Sequence, residues 1–289
     1  MMISEKEVKR EVREFYDQVG WQQVSDGTYQ NAHYDDLRPV SQEYIHNCHL
    51  RVNRHLKPHG AYLLDAGSGP IQYPEYLEYS QGYHYRICAD ISIVALKEAR
   101  KRIGEHGLYV VCDIANLPFS REAFDGLVSL HTLHHLPANE HLQTYDEFYR
   151  VLAPDSQAVV INGWASAPLA NLMDAPLELR RAVRRFYRRM RGELGNLKKP
   201  KGTFVHKNTA KSLKQALGPK MDFDIFVWRS VSVRWLRTFI RERWGGRSLL
   251  RLLYRLEERY PRFFGENGQY PLIVIYKPDR NGAAHSARS

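Results

Sequence analysis

The sequence contains little cysteine, no long apolar segment and no internal repeat. Its three cysteines, Cys48, Cys88 and Cys112, lie far apart and form no CxxC pair, so neither a disulfide framework nor a zinc site is indicated. No apolar run approaches the ~20 residues that a membrane helix needs. The charged, helix-like start MMISEKEVKREVREF has no hydrophobic signal core, which predicts a cytoplasmic protein.

Charge is present but unevenly distributed. The formal net charge is +10, yet residues 1–165 hold 15 Lys and Arg against 22 Asp and Glu, whereas residues 166–289 hold 27 against 10. Like charges that gather in one region attract anions. The basic half is therefore either a solvated arginine-rich surface or a landing surface for an anionic substrate, an acidic lipid surface or nucleic acid.

Residues 61–165 alternate between short apolar runs and segments with helical periodicity. The apolar runs are AYLLDAG, YRICAD, LYVVCD, FDGLVSL and QAVVINGW. Between them, Ser92 is expected to cap a helix that ends at Gly104, and another helix follows Pro137 and stops at Pro154. Strands that alternate with helices predict right-handed βαβ crossovers and a parallel sheet covered by helices on both faces.

Three further regions flank this core. Residues 1–60 are mainly helical and rich in aromatics, and they are expected to fold over the core as a lid. Residues 166–279 are predicted to complete the sheet and to carry basic helical cap insertions. Residues 280–289 are expected to form a flexible tail.

The region 166–279 contains two kinds of predicted element. Strands are expected near 223–231 and 271–277, and residues 234–265 between them are too many for a simple connection, which predicts an inserted helical cap. Basic amphipathic helices are predicted at 174–194 and 234–260. Their apolar stripes are expected to pack against the core, and the alternative is that they lie on acidic lipid.

A glycine turn follows the first predicted strand in the run LLDAGSGPI. Gly67 and Gly69 allow the backbone to turn sharply and to approach a ligand closely. A nicotinamide dinucleotide would require a third glycine at position 72, which is Gln72 here. Asp65 would repel a pyrophosphate but attract the ammonium group of an amino acid, so this turn favours S-adenosyl-L-methionine over NAD.

Acidic residues also end the second and third predicted strands. Asp90 can accept hydrogen bonds from the hydroxyls of a ribose, and Asp113 from the exocyclic amine of an adenine. Ile91 and Ile114 would then enclose the adenine ring between them. Each acid alone could instead cap the following loop, but three acids at the ends of three successive strands favour a shared ligand.

These motifs resemble the core of class I S-adenosylmethionine-dependent methyltransferases, in the branch that includes ubiquinone and menaquinone biosynthesis enzymes. The matching pieces are LLDAGSG, ADIS, CDIANLPF, FDGLVSLHTLHHL and RVLAP. The resemblance implies a Rossmann-like α/β fold with a seven-stranded sheet, whose last strand, PLIVIYK, runs antiparallel. It implies that Asp65, Gly67 and Gly69 line the methionine end of the cofactor, and that Leu130 and His131 lie beside the sulfonium.

The sequence departs from the family pattern at two places. The common third glycine of the turn is Ile71 here, and the usual Pro-Gly-Gly before the fifth strand is Pro154-Asp155-Ser156. These departures leave the details of both turns open.

Candidate catalytic residues lie in the run SLHTLHH after the fourth strand. His131 and His134 are candidates for a general base or for residues that orient the substrate, and the alternative is that they only pack. In the predicted lid, Tyr16, Tyr29 and Arg38 are candidates to reach the methionine carboxylate or the substrate. No metal site is expected, because no carboxylate or cysteine lies close to the histidines in sequence.

The function that these observations favour is methyl transfer to a small molecule. O-methylation of an acidic, amphipathic or lipid-like acceptor is preferred because of the histidines and the basic half, with peripheral contact to an acidic membrane surface as a further expectation. Nucleic acid is not the expected partner. The alternatives are a nucleic-acid methyltransferase that uses the basic half to bind phosphates, and a non-catalytic protein that binds S-adenosylmethionine.

Overall fold

A computed structural model describes residues 4–21, 35–191 and 203–279 of the chain. Tyr29 and the predicted tail 280–289 lie outside the described residues. Within those ranges, no helix combines the length and the apolarity that crossing a bilayer requires.

Seven strands form a single mixed sheet. They are β1 (Gly60–Ala66), β2 (Tyr83–Asp90), β3 (Gly107–Val111), β4 (Phe124–Leu130), β5 (Leu152–Ile161), β6 (Asp222–Arg229) and β7 (Tyr270–Lys277). Their spatial order is β3-β2-β1-β4-β5-β7-β6, and β7 runs antiparallel to both of its neighbours while the other pairs are parallel. The predicted Rossmann-like sheet with an antiparallel last strand is confirmed. The strand order reverses between β1 and β4, which is where open α/β sheets bind ligands.

Helices cover both faces of this sheet, as predicted. Successive side chains of β1 point to opposite faces: Leu64 packs in one buried apolar cluster and Leu63 in another. The first cluster includes residues of α4 (Glu140–Val151) and α6 (Ala210–Leu217), and the second includes residues of α3 (Ile93–Ile103).

Helix α3 begins and ends as its sequence predicts. The Ser92 side chain accepts a hydrogen bond from the Ala95 amide at 3.0 Å, which satisfies one of the free N–H groups of the first turn. Gly104 follows the helix with φ of 64°, a conformation that glycine adopts without steric cost. The cap matters for the site because Ser92 follows directly after the carboxyl end of β2.

Both departures from the glycine pattern keep a left-handed backbone. Ile71 has φ of 55° and Asp155 has φ of 53°, values that residues other than glycine rarely adopt. Ile71 is fully buried against the cluster that contains Leu63, so its packing compensates for the strain. The turn conformations are therefore retained although the glycines are not.

The connection from β6 to β7 contains three helices where the inserted cap is predicted. Its helices are α7 (Val233–Phe239), α8 (Gly246–Arg259) and α9 (Pro261–Asn267). Together with the N-terminal helix α2 (Gln42–Leu50), α7 and α8 form a third apolar cluster. Glu257 is buried beside it and accepts hydrogen bonds from Tyr44, Arg51 and Ser230. The insertion is thus anchored to the N-terminal region through both apolar and charged contacts.

Helix α5 (Pro168–Met190) differs from the expectation for the first basic helix. Only Ala170 and Leu177 are buried along its 23 residues. The apolar stripe that includes Phe186 and Met190 is exposed, at 60% and 73% of the side-chain surface. Among the described residues, the expectation that this stripe packs against the core is therefore wrong, because no described element covers it.

Candidate active site

A cavity of about 370 Å³ lies at the carboxyl ends of the central strands. Its lining includes two groups of residues, one at each end. We call the first group, next to β1 and β2, the turn end: Asp65, Gly67, Gly69, Asp90 and Ile91. We call the second group the β7 end: Asp35, Thr203, Lys207, Arg229 and Tyr270. Leu130, His131 and His134 lie in the same lining.

The glycine turn closes tightly against β2 and the loop after β4. The Gly67 amide donates to the Ala89 carbonyl at 2.7 Å, and Gly67 has φ of 76°. A Cβ atom on Gly67 would lie 2.2 Å from the Thr132 side chain, and a Cβ on Gly69 would lie 3.1 Å from the Trp21 ring. At Gly67 both the backbone conformation and the available space therefore require glycine.

Asp90 holds the turn in place with both of its carboxylate oxygens. Oδ2 accepts from the Gly69 amide at 2.9 Å, and Oδ1 accepts from the Ser92 amide at 2.8 Å. Burial raises the pKa of Asp90 to about 6. Each carboxylate oxygen can accept two hydrogen bonds, so Asp90 retains acceptor capacity for the hydroxyls of a ligand.

Asp65 also lines the cavity, but it has a partner that the sequence analysis missed. The Arg86 guanidinium donates to Oδ2 from Nε at 3.1 Å and from Nη2 at 2.5 Å, and both side chains are buried. Burial raises the pKa of Asp65, although Arg86 acts in the opposite direction. A charged residue in the middle of the apolar strand YRICAD was the available sequence signal.

The third acid does not reach the cavity. Asp113 instead accepts a hydrogen bond from Lys9 of α1 (Glu5–Phe15) at 2.5 Å. Ile114 is buried in the core cluster below the sheet edge, at 5% exposure. The predicted enclosure of an adenine between Ile91 and Ile114 therefore needs correction, because only Ile91 is part of the lining. Asp113 serves to hold α1 against the sheet.

The N-terminal segment 4–21 lies over the cavity. Val12, Phe15, Tyr16 and Trp21 are in the lining, and the Tyr16 ring stacks on the Trp21 ring with 4.9 Å between centroids. The Tyr16 hydroxyl lies 2.7 Å from His135 Nε2. Such a segment can exclude water from the cavity.

Arg38 lies elsewhere, contrary to the expectation that it reaches a ligand. Its guanidinium pairs with Asp36 at 2.6 Å and donates to the carbonyls of Leu236 and Ile240. These carbonyls lie at the C-terminal end of α7, where a helix leaves carbonyl groups without intrahelical partners. Arg38 thus fastens the N-terminal region to the inserted cap.

The three histidines after β4 are half-buried in the cavity lining and neutral. Burial lowers the pKa of His131 to about 3 and that of His135 to about 4, and it lowers the pKa of His134 well below its usual value. His131 has φ of 56° and packs against Trp228 and Tyr270. His131 is therefore a weak base whose position suits contact with a ligand better than proton abstraction.

Hydrogen bonds define the tautomers of the other two histidines. His135 Nδ1 donates to the Phe204 carbonyl at 2.9 Å, so its Nε2 must accept from the Tyr16 hydroxyl. His134 Nδ1 donates to Asn162 Oδ1 at 3.0 Å, which leaves the lone pair of the ring on Nε2. Of these two histidines, His134 is the one whose Nε2 can accept a hydrogen bond from a ligand.

The β7 end contains charged residues that no sequence motif indicated. Arg229, the last residue of β6, forms a buried ion pair with Asp35, which also accepts from His49 Nε2 at 3.3 Å. The Arg229 guanidinium lies 4.7 Å from the centre of the Tyr270 ring. Lys207 lies beside Gly163, where a Cβ atom would be 2.9 Å from its Nζ. These residues come from four distant segments, so no local spacing could reveal them.

No group of three metal-binding side chains occurs in the part of the chain that the structure describes. His134 and His135 instead bond to amide, carbonyl and hydroxyl oxygens.

Residues 64–160 match a family model that is described as a methyltransferase domain. Over 136 residues the chain is 32% identical to a Mus musculus protein named "Probable tRNA methyltransferase 9B", covering 46% of this chain and 28% of that protein. The chain therefore spans less than a third of the length of that relative.

Two solved structures share the fold over nearly the whole chain. Geranyl diphosphate C-methyltransferase from Streptomyces coelicolor A3(2) has a TM-score of 0.53 at 13% identity, covering 93% of this chain and 98% of that chain. The [4+2]-cyclase SpnF has a TM-score of 0.53 at 17% identity, covering 94% and 97%. Because these two proteins are named for different reactions, the fold alone does not specify the reaction.

Proposed function

We propose that the protein transfers a methyl group from S-adenosyl-L-methionine to a small-molecule acceptor. The premise is that residues 64–160 of this chain form a class I methyltransferase domain. The observation that carries this proposal is the turn end of the cavity. There the two glycines of the turn and two of the three predicted acids line a single wall.

The turn end fits the two polar parts of S-adenosyl-L-methionine. Asp90 is the acceptor for the ribose hydroxyls, and it also holds the Gly69 amide of the turn. Asp65 is the counter-ion of the methionine ammonium, with its charge partly compensated by Arg86. Ile91 and Leu130 supply apolar contact with the cofactor. We also propose that the protein belongs to the branch of ubiquinone and menaquinone biosynthesis enzymes.

The bound cofactor supplies an electrophilic methyl group on sulfur. The chain's own contribution is to position the acceptor in line with that group and to exclude water, which together account for large rate effects. Tyr16 and Trp21 close the cavity on one side, and Tyr16 is held by His135.

We place the acceptor near His131 and His134, and oxygen is the favoured acceptor atom. The low pKa of His131 makes it a poor base, so an acceptor that is already ionised at neutral pH, such as a carboxylic acid, suits this cavity. His134 Nε2 can accept a hydrogen bond from a hydroxyl and so orient it.

Calorimetry with S-adenosylmethionine and S-adenosylhomocysteine tests the proposal. We expect both to bind, because the product differs only by the methyl group. Failure of both to bind at millimolar concentration would end the proposal. If both bind and no acceptor class ever yields S-adenosylhomocysteine, the alternative of a non-catalytic binding protein is favoured instead.

A second candidate is methylation of RNA, which the name of the 32% identical relative and the exposed arginines of α5 favour. Arginine contacts to phosphates give binding that falls steeply with salt concentration. A gel shift with transfer RNA at 50 and 200 mM salt tests this candidate. Absent or salt-insensitive binding argues against it.

We also propose peripheral contact of α5 with an acidic membrane surface, and a cytoplasmic location. The exposed stripe of Phe186 and Met190 lies on a helix that carries several arginines, which is the composition of interfacial helices. The free state of the three cysteines supports a reducing compartment. Sedimentation with anionic and with neutral vesicles tests the membrane contact, and equal binding to both contradicts it.

A further inference from the structure

The β7 end of the cavity holds a positive charge that the described residues do not neutralise. Arg229 is paired with Asp35, whereas no carboxylate of the described residues lies within 4.0 Å of Lys207. The neighbouring histidines are neutral, so they do not compensate the ammonium group either. Burial lowers the pKa of Lys207, and no counter-ion opposes this shift.

Two buried polar atoms at the same end lack hydrogen-bond partners. They are Thr203 Oγ1 and Arg229 Nε, and both residues belong to the cavity lining. Arg229 is 2% exposed, so water does not reach its guanidinium freely. Buried donors without partners are costly and rare in folded proteins, and a ligand that accepts hydrogen bonds is one way to satisfy them.

Lys207 and Arg229 both approach the Tyr270 ring, and Thr203 belongs to the same cavity lining. Lys207 Nζ and the Tyr270 ring both approach the position of a Cβ on Gly163, at 2.9 and 3.6 Å. The Tyr270 ring in turn contacts the Arg229 guanidinium. Arg229 and Tyr270 also face each other in the pairing of β6 with β7, so the sheet fixes their relative position.

We infer that Lys207, with Thr203 and Arg229, forms a subsite for a compact oxyanion of the methyl acceptor, either a carboxylate or a phosphate group. This inference rests on the proposed function, since it assigns which part of the acceptor the β7 end holds. The anion neutralises the charge of Lys207 and accepts hydrogen bonds from Thr203 Oγ1 and Arg229 Nε. The other end of the acceptor then extends past His134 toward the turn end.

The subsite is distinct from the basic surface helices. The arginines of α5 are exposed, and water and salt screen their charge. Lys207 is partly enclosed, where a single charge has a larger effect on a bound anion. Specificity for an anionic acceptor therefore depends on one lysine within the cavity rather than on the excess of 17 basic residues in the C-terminal half.

Binding of benzoate and of inorganic phosphate to the free protein tests the inference, with benzamide as the neutral isostere of benzoate. We expect at least one anion to bind, and Lys207→Met to weaken that binding about tenfold or more, as for loss of a charged hydrogen bond. Thr203→Val should weaken it about three- to tenfold. Lys211→Met removes an exposed lysine nearby in sequence and should leave it within about twofold. Stronger binding of benzoate identifies a carboxylate acceptor, and stronger binding of phosphate identifies a phosphate ester.

Two further measurements keep the inference separate from the proposed function. Lys207→Met should raise the thermal midpoint of the free protein, because it removes a buried charge without a partner. It should also leave the affinity for S-adenosylhomocysteine within about twofold of wild type.

Several results would overturn the subsite. In wild type, this result is the absence of binding of either anion. In Lys207→Met, these results are a lower thermal midpoint, undiminished anion binding, or loss of S-adenosylhomocysteine affinity. The last result would assign Lys207 to the cofactor instead. If wild type binds the anions but not the cofactor, the subsite stands and the proposed function fails.

Discussion

The two ends of the cavity each contain a buried Arg–Asp pair, yet they are built in different ways. At the turn end, Asp65 and Arg86 lie on neighbouring strands, 21 residues apart in sequence. At the β7 end, Asp35 and Arg229 are 194 residues apart, and His49 is a further hydrogen-bond partner of Asp35. The glycines and acids of the turn end lie in or directly after two consecutive strands, so local motifs predict them, whereas a wall assembled from distant segments has no such motif.

Removal of the arginine from each pair gives the largest expected effect. Arg86→Met leaves the buried Asp65 carboxylate without its counter-ion and should lower the free energy of unfolding by about 3–5 kcal/mol. Arg229→Met should lower the free energy of unfolding by less, because His49 can still donate to Asp35. Although burial lowers the pKa of His49, its hydrogen bonds to Asp35 and Glu75 keep that pKa above its usual value.

Urea unfolding at pH 7 measures these effects. Arg251→Met, which breaks the exposed pair with Glu43, is the control and should change stability little. Equal losses of unfolding free energy in Arg86→Met and Arg229→Met would contradict the expected difference between the two ion pairs.

Substitution of the acids tests which of them bind the cofactor. Asp90→Ala should weaken S-adenosylhomocysteine binding at least about a hundredfold, since charged hydrogen bonds contribute about 1.5–3 kcal/mol each and the turn also loses its bonds to Gly69 and Ser92. Asp113→Ala, the matched control, should change this affinity by less than about threefold, because Asp113 bonds to Lys9 outside the cavity. Calorimetry measures both. A large loss in Asp113→Ala would restore the adenine contact expected from the sequence.

The pH dependence of cofactor binding is expected to be smaller than the effect of Asp90→Ala. In the proposed binding mode, ribose hydroxyls donate to the ionised form of Asp90, whose pKa is raised to about 6 by burial. Affinity should therefore be constant above about pH 7 and fall as the pH drops below 6, by up to about tenfold per unit. Asp90→Asn cannot titrate and should lack this decline. A decline that persists in Asp90→Asn would point to another group.

The smallest expected effect concerns the contact between the N-terminal segment and the loop after β4. Tyr16→Phe removes the hydrogen bond to His135 while the stacking on Trp21 remains. A neutral hydrogen bond contributes about 1 kcal/mol, so S-adenosylhomocysteine should dissociate about fivefold faster. Stopped-flow fluorescence measures this rate, and an unchanged rate would show that Tyr16 does not hold the segment closed.

Expectations for individual residues failed where a distant residue supplied a better partner. Asp113 bonds to Lys9, and Arg38 bonds to Asp36 and to the end of α7, so neither reaches the cavity. The histidines line the cavity, but burial lowers the pKa of His131 too far for an efficient base. A sequence pattern specifies a residue type and an approximate position, whereas its partners depend on chain segments far away in sequence.

The sequence by itself determined the strand–helix alternation, the glycine turn and the acid at the end of β2. These features follow from local sequence, because the glycine turn and the cap at Ser92 are formed by residues that are neighbours in the chain. Only the tertiary structure decided which charges meet at the β7 end and which apolar stripe stays exposed on α5. Pairing over 194 residues and burial both depend on how whole elements pack, and no local spacing encodes that.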